Sequence, residues 1–192
     1  MRIISGNTKG KILFSPADAR VRPTSDRARE GLFSSLESEF STMAELHFLD
    51  LFAGSGAVGV EALSRGAAIV HSVEAEESVS QLAERNFKLI NNPAGSYRVI
   101  RSRADSFLDS ASAIQYDIIF MDPPYELANS SIAELLATIV KRDLLQSKGI
   151  IAIERESKST PFSWPEDLKG EKIRSYGQGS IFYGGYSASV LP

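Results

Sequence analysis

The sequence predicts an α/β fold of the doubly wound, Rossmann-like kind: a mostly parallel sheet with helices on both faces. Three observations carry this. From residue 47 onward short apolar segments alternate with amphipathic ones, a glycine-rich turn follows the first apolar segment, and the closing stretch EKIRSYGQGSIFYGGYSASV abandons the alternation for a hairpin pattern. Apolar strands separated by amphipathic helices bury both sheet faces, whereas a terminal hairpin adds antiparallel strands at an edge.

Taken in order, RIIS and KILFSP flank GNTKG, turn chemistry that predicts a hairpin over residues 1–20. RPTSDRAREGLFSSLESEF predicts a helix. Pro23 and Thr24 mark its start, and Ala28, Leu32, Leu36 and Phe40, with Phe33 beside them, make one apolar stripe. These two elements form an N-terminal extension, residues 1–45, packed on a core domain of residues 46–192. In that domain HFLDLF, AIVHSVE, YRVIRSRAD, YDIIFMD and GIIAIERE read as five strands. Between them GAVGVEALSRG, closed by Gly66, ESVSQLAERNFKLINN, ended by Asn91, Asn92 and Pro93, and SSIAELLATIVKRDLL read as helices. Two final strands join at GQG. No internal repeat or low-complexity tract interrupts the pattern.

A chain of 192 residues with 43% hydrophobic and 23% charged content suits one core with an appendage. The absence of cysteine removes disulfides, thiol nucleophiles and thiolate metal sites, and two histidines cannot build a histidine-rich cage, so no metal is expected. His47 and His71 fall inside strands, away from the motif ends, and are expected to be structural. The longest apolar runs, such as 150–153 and 118–121, fall far short of the ~20 residues a bilayer demands. The first residues also lack the apolar core of a signal peptide, and a soluble, cytoplasmic protein is expected. The net charge of −3 is unevenly spread: residues 1–30 hold seven basic and three acidic side chains, leaving the rest at −7. A basic arm on an acidic body is an electrostatic footprint for phosphates, or simply a solvated surface.

Gly54, Gly56 and Gly59 spell G-x-G-x-x-G after the first strand. In a doubly wound sheet such a loop marks a ligand site at the carboxyl ends of the strands without naming the ligand. Asp50, four residues before Gly54, tips the balance. A pyrophosphate seeks free helix-terminal amides, and a carboxylate there repels it. S-adenosylmethionine carries an ammonium and a sulfonium and no phosphate, so it suits Asp50. Glu74 ends the second strand 24 residues after Asp50, placed to accept from ribose hydroxyls of either cofactor. Asp105, after the third strand, could accept from the adenine amine or cap a helix beginning at Ser106.

The fourth strand ends in Asp122, Pro123, Pro124 and Tyr125, beside the glycine loop by the same topological rule. Consecutive prolines lack amide hydrogens and hold their carbonyls out as acceptors, Asp122 adds another, and Tyr125 offers a flat ring. Such a cluster suits a planar substrate with an exocyclic amine, oriented through its N–H bonds and stacked on the ring. Methyl transfer from a sulfonium is a direct displacement that alignment and electrostatics can drive, with no metal or covalent intermediate.

The pairing of DLFAGSGAVGVEALSRG with DPPY is similar to class I S-adenosylmethionine-dependent amino methyltransferases. With RIISGNTKGKIL and RPTSDRAREGLF added, nearly the whole chain resembles the RsmD family, which methylates the N2 amine of one guanine in bacterial small-subunit (16S) ribosomal RNA. The resemblance implies the class I methyltransferase fold, a seven-stranded sheet whose last strand is antiparallel. It places Asp50, Phe52, Ala53, Gly54, Ser55, Gly56 and Glu74 around S-adenosylmethionine, Ala104 and Asp105 near the adenine, and Asp122, Pro123, Pro124 and Tyr125 at the target base. The implied partner is small-subunit ribosomal RNA, within a partly assembled subunit together with ribosomal proteins. Lys9, Lys11, Arg20, Arg22, Arg27 and Arg29 then read as an RNA clamp, giving affinity while the pocket identifies a base that is flipped out or presented in a loop. Arg22 or Arg27 could instead pair with a carboxylate and fix the arm to the core. The Gly- and Tyr-rich C-terminus departs from the family pattern, which leaves any substrate contact from the closing hairpin open. Trp164 reads as a loop anchor, and a monomer is expected because no large apolar stripe is evident. The alternatives are a DNA adenine-N6 or protein-glutamine methyltransferase, an NAD-dependent oxidoreductase, and a non-catalytic ribosome-assembly factor.

Overall fold

In the computed structural model the described residues are 1–15, 25–91, 93–111, 114–158 and 162–187. The elements run α1 (Asp26–Phe40), β1 (His47–Leu51), α2 (Ala57–Ser64), β2 (Ile69–Glu74), α3 (Glu77–Phe87), β3 (Ser96–Arg101), α4 (Ala104–Ser110), β4 (Tyr116–Met121), α5 (Asn129–Lys141), β5 (Leu145–Glu156), β6 (Leu168–Tyr176) and β7 (Gly179–Tyr186). One seven-stranded sheet has the order β3-β2-β1-β4-β5-β7-β6. β1 to β5 pair in parallel, and β7 runs antiparallel to both β5 and β6. The expected five parallel strands and closing hairpin are therefore present. Gly177, at φ +67, supplies the positive φ that the two-residue turn between β6 and β7 requires.

Period-two alternation divides the core between the faces. Phe48, Ile118, Phe120 and Ala152 join α1, α2 and the N-terminal arm on one face, while Leu49, Leu51, Ile119, Met121, Ile151 and Ile153 pack with α4 and α5 on the other. α1 forms because its Ser25 side chain caps the Ala28 amide and its stripe of Leu32, Phe33 and Leu36 is fully buried. Truncating one of these to alanine removes about 2 to 5 kcal/mol. The cap is thus Ser25, while Pro23 and Thr24 lie outside the described residues. α5 ends at Lys141, before the expected Leu145, because Asp143 takes a left-handed φ of +52 that no helix continues.

The N-terminal hairpin is narrow, with one bridge between Arg2 and Ile12. It is nevertheless bolted down. Glu61 of α2, fully buried, accepts from the Ile4 and Ser5 amides at 2.8 and 2.9 Å, and the Asn86 side-chain amide of α3 bonds both the amide and the carbonyl of Phe14. His47 and His71 are held by the Gln115 carbonyl and the Tyr116 hydroxyl, as structural roles demand. The indole of Trp164 lies against Phe162, Gly170 and Gly184, anchoring its loop to the hairpin. Among the described residues no helix is long and apolar enough to cross a membrane.

Candidate active site

The chain leaves β3 and crosses back over the sheet to β4, so the strand order reverses between β1 and β4, where doubly wound sheets open a crevice. A cleft of about 830 Å³ lies there. Asp50, Glu74, Asp122 and Glu154 stand at the carboxyl ends of β1, β2, β4 and β5, and each shares parity with the strand residues facing α2. Alternation alone therefore sends four carboxylates into one space. Among the described residues, eight carboxyl-bearing side chains line the cleft against a single arginine, Arg103.

The glycine loop is built around these acids. The Gly54 amide donates to Glu74 at 2.8 Å, the Gly59 amide to Asp50 at 3.1 Å, the Ala53 amide to the Val73 carbonyl and the Gly56 amide to the Ala53 carbonyl. Amides that would greet a pyrophosphate in a dinucleotide loop are spent internally. Gly56, at φ +74, is the N-cap of α2, and at Gly59 an added Cβ would meet the Ser72 hydroxyl at 2.4 Å, so helix and sheet approach only through glycine. Phe52 holds φ +63 without being glycine, a strain of about 1 to 3 kcal/mol of the sort that gathers at ligand sites.

Burial pushes the Asp50 carboxyl up to about 8, opposed by the Gly59 amide and reinforced by the nearby charges of Asp122 and Glu74. Burial thus favours the neutral form of Asp50 around neutral pH. The expected repulsion of anions is thus supplied chiefly by the surrounding carboxylates and the spent amides. Glu74 also accepts from the Glu76 amide, which fixes both of its oxygens. Asp105 sits in the first turn of α4, whose N-cap is Arg103, and does not cap the helix itself. Its hydrogen bonds from the Arg103 guanidinium and the Ser106 amide hold it down to about 2.

Across the cleft, Asp122 is half-buried, Pro123 buried and Tyr125 exposed on the rim. One expectation is corrected: the Pro124 carbonyl does not stand out toward a ligand. It accepts from the Leu127 amide at 2.9 Å and from the guanidinium of Arg155 at 3.1 Å, because the chain turns at 124–127 toward α5. Phe52, Ala53, Gly54, Ser55, Ala104 and Asp105 line the same cleft, with Gly56 directly behind it.

Residues 1–184 match a family model described as Conserved hypothetical protein 95. The chain is 35% identical over 177 residues to ribosomal RNA small subunit methyltransferase D of Escherichia coli (strain K12), covering 90% of this chain and 84% of that protein. It belongs to this RsmD family. It is also 32% identical to a putative rRNA methyltransferase of Bacillus subtilis (strain 168), covering 92% and 94% of the two chains. A solved putative methyltransferase from Escherichia coli superimposes with a TM-score of 0.80 at 31% identity over 97% of this chain and 98% of its own. The seven-stranded sheet with its antiparallel last strand is thus the methyltransferase architecture.

In this RsmD-family chain the basic arm divides. Lys9 and Arg27 are exposed, and Arg20 and Arg22 lie outside the described residues. The Lys11 ammonium donates to the Leu89 carbonyl just beyond α3. Arg29 is corrected outright. It is fully buried, donates to the Arg2 carbonyl and Asp26, and faces buried Glu61 at 3.8 Å, so it clamps the arm to α2 and cannot meet a phosphate from there. Among the described residues a role fixing the arm to the core is seen at Arg29. Sequence reasoning missed Glu154, Arg155 and Asn86. The strand parity of AIERE carried a signal for the first. Asn86 also donates to the Ser55 carbonyl at 2.9 Å, tying arm and glycine loop together, and no local pattern announces this.

Proposed function

We propose that the protein transfers a methyl group from S-adenosylmethionine to the exocyclic N2 amine of a guanine in small-subunit ribosomal RNA, without a metal. The observation that carries it is the glycine loop whose amides are already bonded to carboxylates, in a cleft that the described residues line with eight acids and one arginine. That donor set suits a ligand with cationic groups and hydroxyls and disfavours a diphosphate, which argues against an oxidoreductase using NAD.

S-adenosylmethionine, when bound, supplies an electrophilic methyl on a sulfonium. Asp50 and Glu74 would hold the cationic and hydroxyl-bearing parts of that cofactor, with Asp105 and Ala104 at its adenine end. Asp122 and the Pro123 carbonyl accept the N–H bonds of the incoming amine, so that its lone pair points into the cleft. Asp122 also offsets the positive charge that grows on nitrogen as the methyl leaves sulfur for it, a stabilisation that is large where water is excluded, and takes up the surplus N–H proton. Tyr125, on the rim, provides the surface on which the base stacks. Phosphates cannot follow the base into so acidic a space. Lys9 and Arg27, outside it, hold the RNA backbone while a single uncharged base enters, and Arg20 and Arg22 are assigned with them.

The E. coli relative's name supports small-subunit ribosomal RNA as the substrate. We assign a monomer acting in the cytoplasm on partly assembled subunits bearing ribosomal proteins. The test is incubation with tritiated S-adenosylmethionine and small subunits lacking the modification. Label is expected in the RNA at one guanine, located by mass spectrometry. Transfer to no RNA at all rejects the proposal.

A further inference from the structure

Arg155 sits at the end of β5 with parity opposite to Asp50, Asp122 and Glu154, on the face toward α5. It is 4% exposed, and among the described residues no carboxylate pairs with it. Its hydrogen bonds go to backbone carbonyls of one short turn: Nη1 to Pro124 at 3.1 Å, and Nη2 to Leu127 at 3.1 Å and Tyr125 at 3.4 Å. A buried guanidinium neutralised only by carbonyl dipoles is costly to keep, because desolvating a charge outweighs what neutral acceptors return. A hydrophobic residue would serve packing alone at less cost. What the guanidinium does that an apolar side chain cannot is bond three backbone carbonyls, of residues 124, 125 and 127, in the turn that follows Asp122.

We infer that Arg155 is a positioning residue for the target amine. It withdraws the carbonyls of residues 124, 125 and 127 beneath the loop, away from the amine, which is left to the Asp122 carboxylate and the Pro123 carbonyl. Two acceptors match the two N–H bonds of an exocyclic amine, whereas a loop free to turn its other carbonyls inward offers competing poses with the lone pair misaligned. This rests on the methyl-transfer function proposed above. Arg155 touches neither substrate nor cofactor in this role. It acts through the loop, so its loss changes the rate of transfer and spares cofactor affinity.

The test compares wild type with Arg155→Met and Arg155→Lys. Displacing a reacting group by about 1 Å costs on the order of 100-fold, so kcat on small subunits lacking the modification falls by about that factor in Arg155→Met. KM for the subunits and affinity for S-adenosylmethionine stay at wild-type values. Arg155→Lys, which keeps the charge and reaches at least one carbonyl, recovers part of the loss and guards against a folding failure of the methionine variant. Hydrogen exchange gives a readout independent of activity: the Leu127 amide, bonded to the Pro124 carbonyl, exchanges faster in Arg155→Met while amides of β4 and β5 do not. A wild type active on RNA with Arg155→Met matching its kcat overturns the inference alone. A wild type inactive on all RNA rejects the proposed function, and unchanged Leu127 exchange in Arg155→Met then removes the loop-holding role as well.

Discussion

The two loops that face each other across the cleft are fastened by opposite chemistry. The glycine loop is held through its amides, which donate to Glu74 and Asp50. The loop after β4 is held through its carbonyls, which accept from Arg155. Each anchor uses up one kind of backbone group and so decides what a ligand can find. On the glycine side the amides are spent and carboxylates remain, so the side welcomes cations and hydroxyls. On the other side three carbonyls are bonded to Arg155, and the proposed amine acceptors are Asp122 and Pro123. A shared fold thus gives two half-sites with separate tasks.

That division can be broken one half at a time. The largest effect is expected from Asp122→Ala, where kcat for methyl transfer to small subunits falls by about 100- to 1,000-fold, as when a transition-state partner is removed. Calorimetry on the same variant should give wild-type affinity for S-adenosylmethionine, and a parallel loss of cofactor affinity would mean that the half-sites are not separate. Asp50→Asn is the mirror experiment. A hydrogen bond to a charged group is worth about 1.5 to 3 kcal/mol, so cofactor affinity drops by roughly ten- to a hundredfold while the subunits still bind in a filter assay. Tyr125→Ala, which removes a stacking surface worth about 1 to 3 kcal/mol, raises KM for the subunits with little change at the cofactor, and Tyr125→Phe restores it.

A separate effect concerns stability. Because burial raises the Asp50 carboxyl to about 8 from 3.8, its contribution is fully present below the unfolded value and is lost as pH rises through the folded one. Asparagine carries no such penalty. Thermal melts without cofactor should therefore show Asp50→Asn gaining on wild type between pH 5 and pH 9. A constant difference across that range would mean that Asp50 is ionised in the folded protein throughout.

How far the sequence spoke depended on the range of the interaction that decided each feature. The strand and helix alternation, the hairpin at Gly177 and the convergence of the glycine loop with Asp122 follow from period and connection rules, which are local. Arg29 belongs by charge with the other basic residues of 1–30, while the buried carboxylate it faces, Glu61, lies on another helix beyond β1. The Pro124 carbonyl was misassigned for the same reason, since Arg155 reaches it from another strand. The end of α5 was overrun because Leu144 and Leu145 continue the apolar pattern and only the backbone at Asp143 reveals the stop. Charge reads off a sequence, but the partner that buries it does not.

The central claim is that the spent amides and surrounding carboxylates of the glycine loop reject phosphate while Asp50 selects a cation. Calorimetric titration of the wild type with S-adenosylmethionine and, separately, NADH between pH 6 and 7.5 tests it most directly. Each bound cation must discharge the Asp50 proton, so affinity for S-adenosylmethionine should climb by up to about tenfold per pH unit, with proton release to the buffer. It should stay flat in Asp50→Asn, and NADH should not bind. Tight NADH binding, or a pH-independent affinity for S-adenosylmethionine in the wild type, would contradict it.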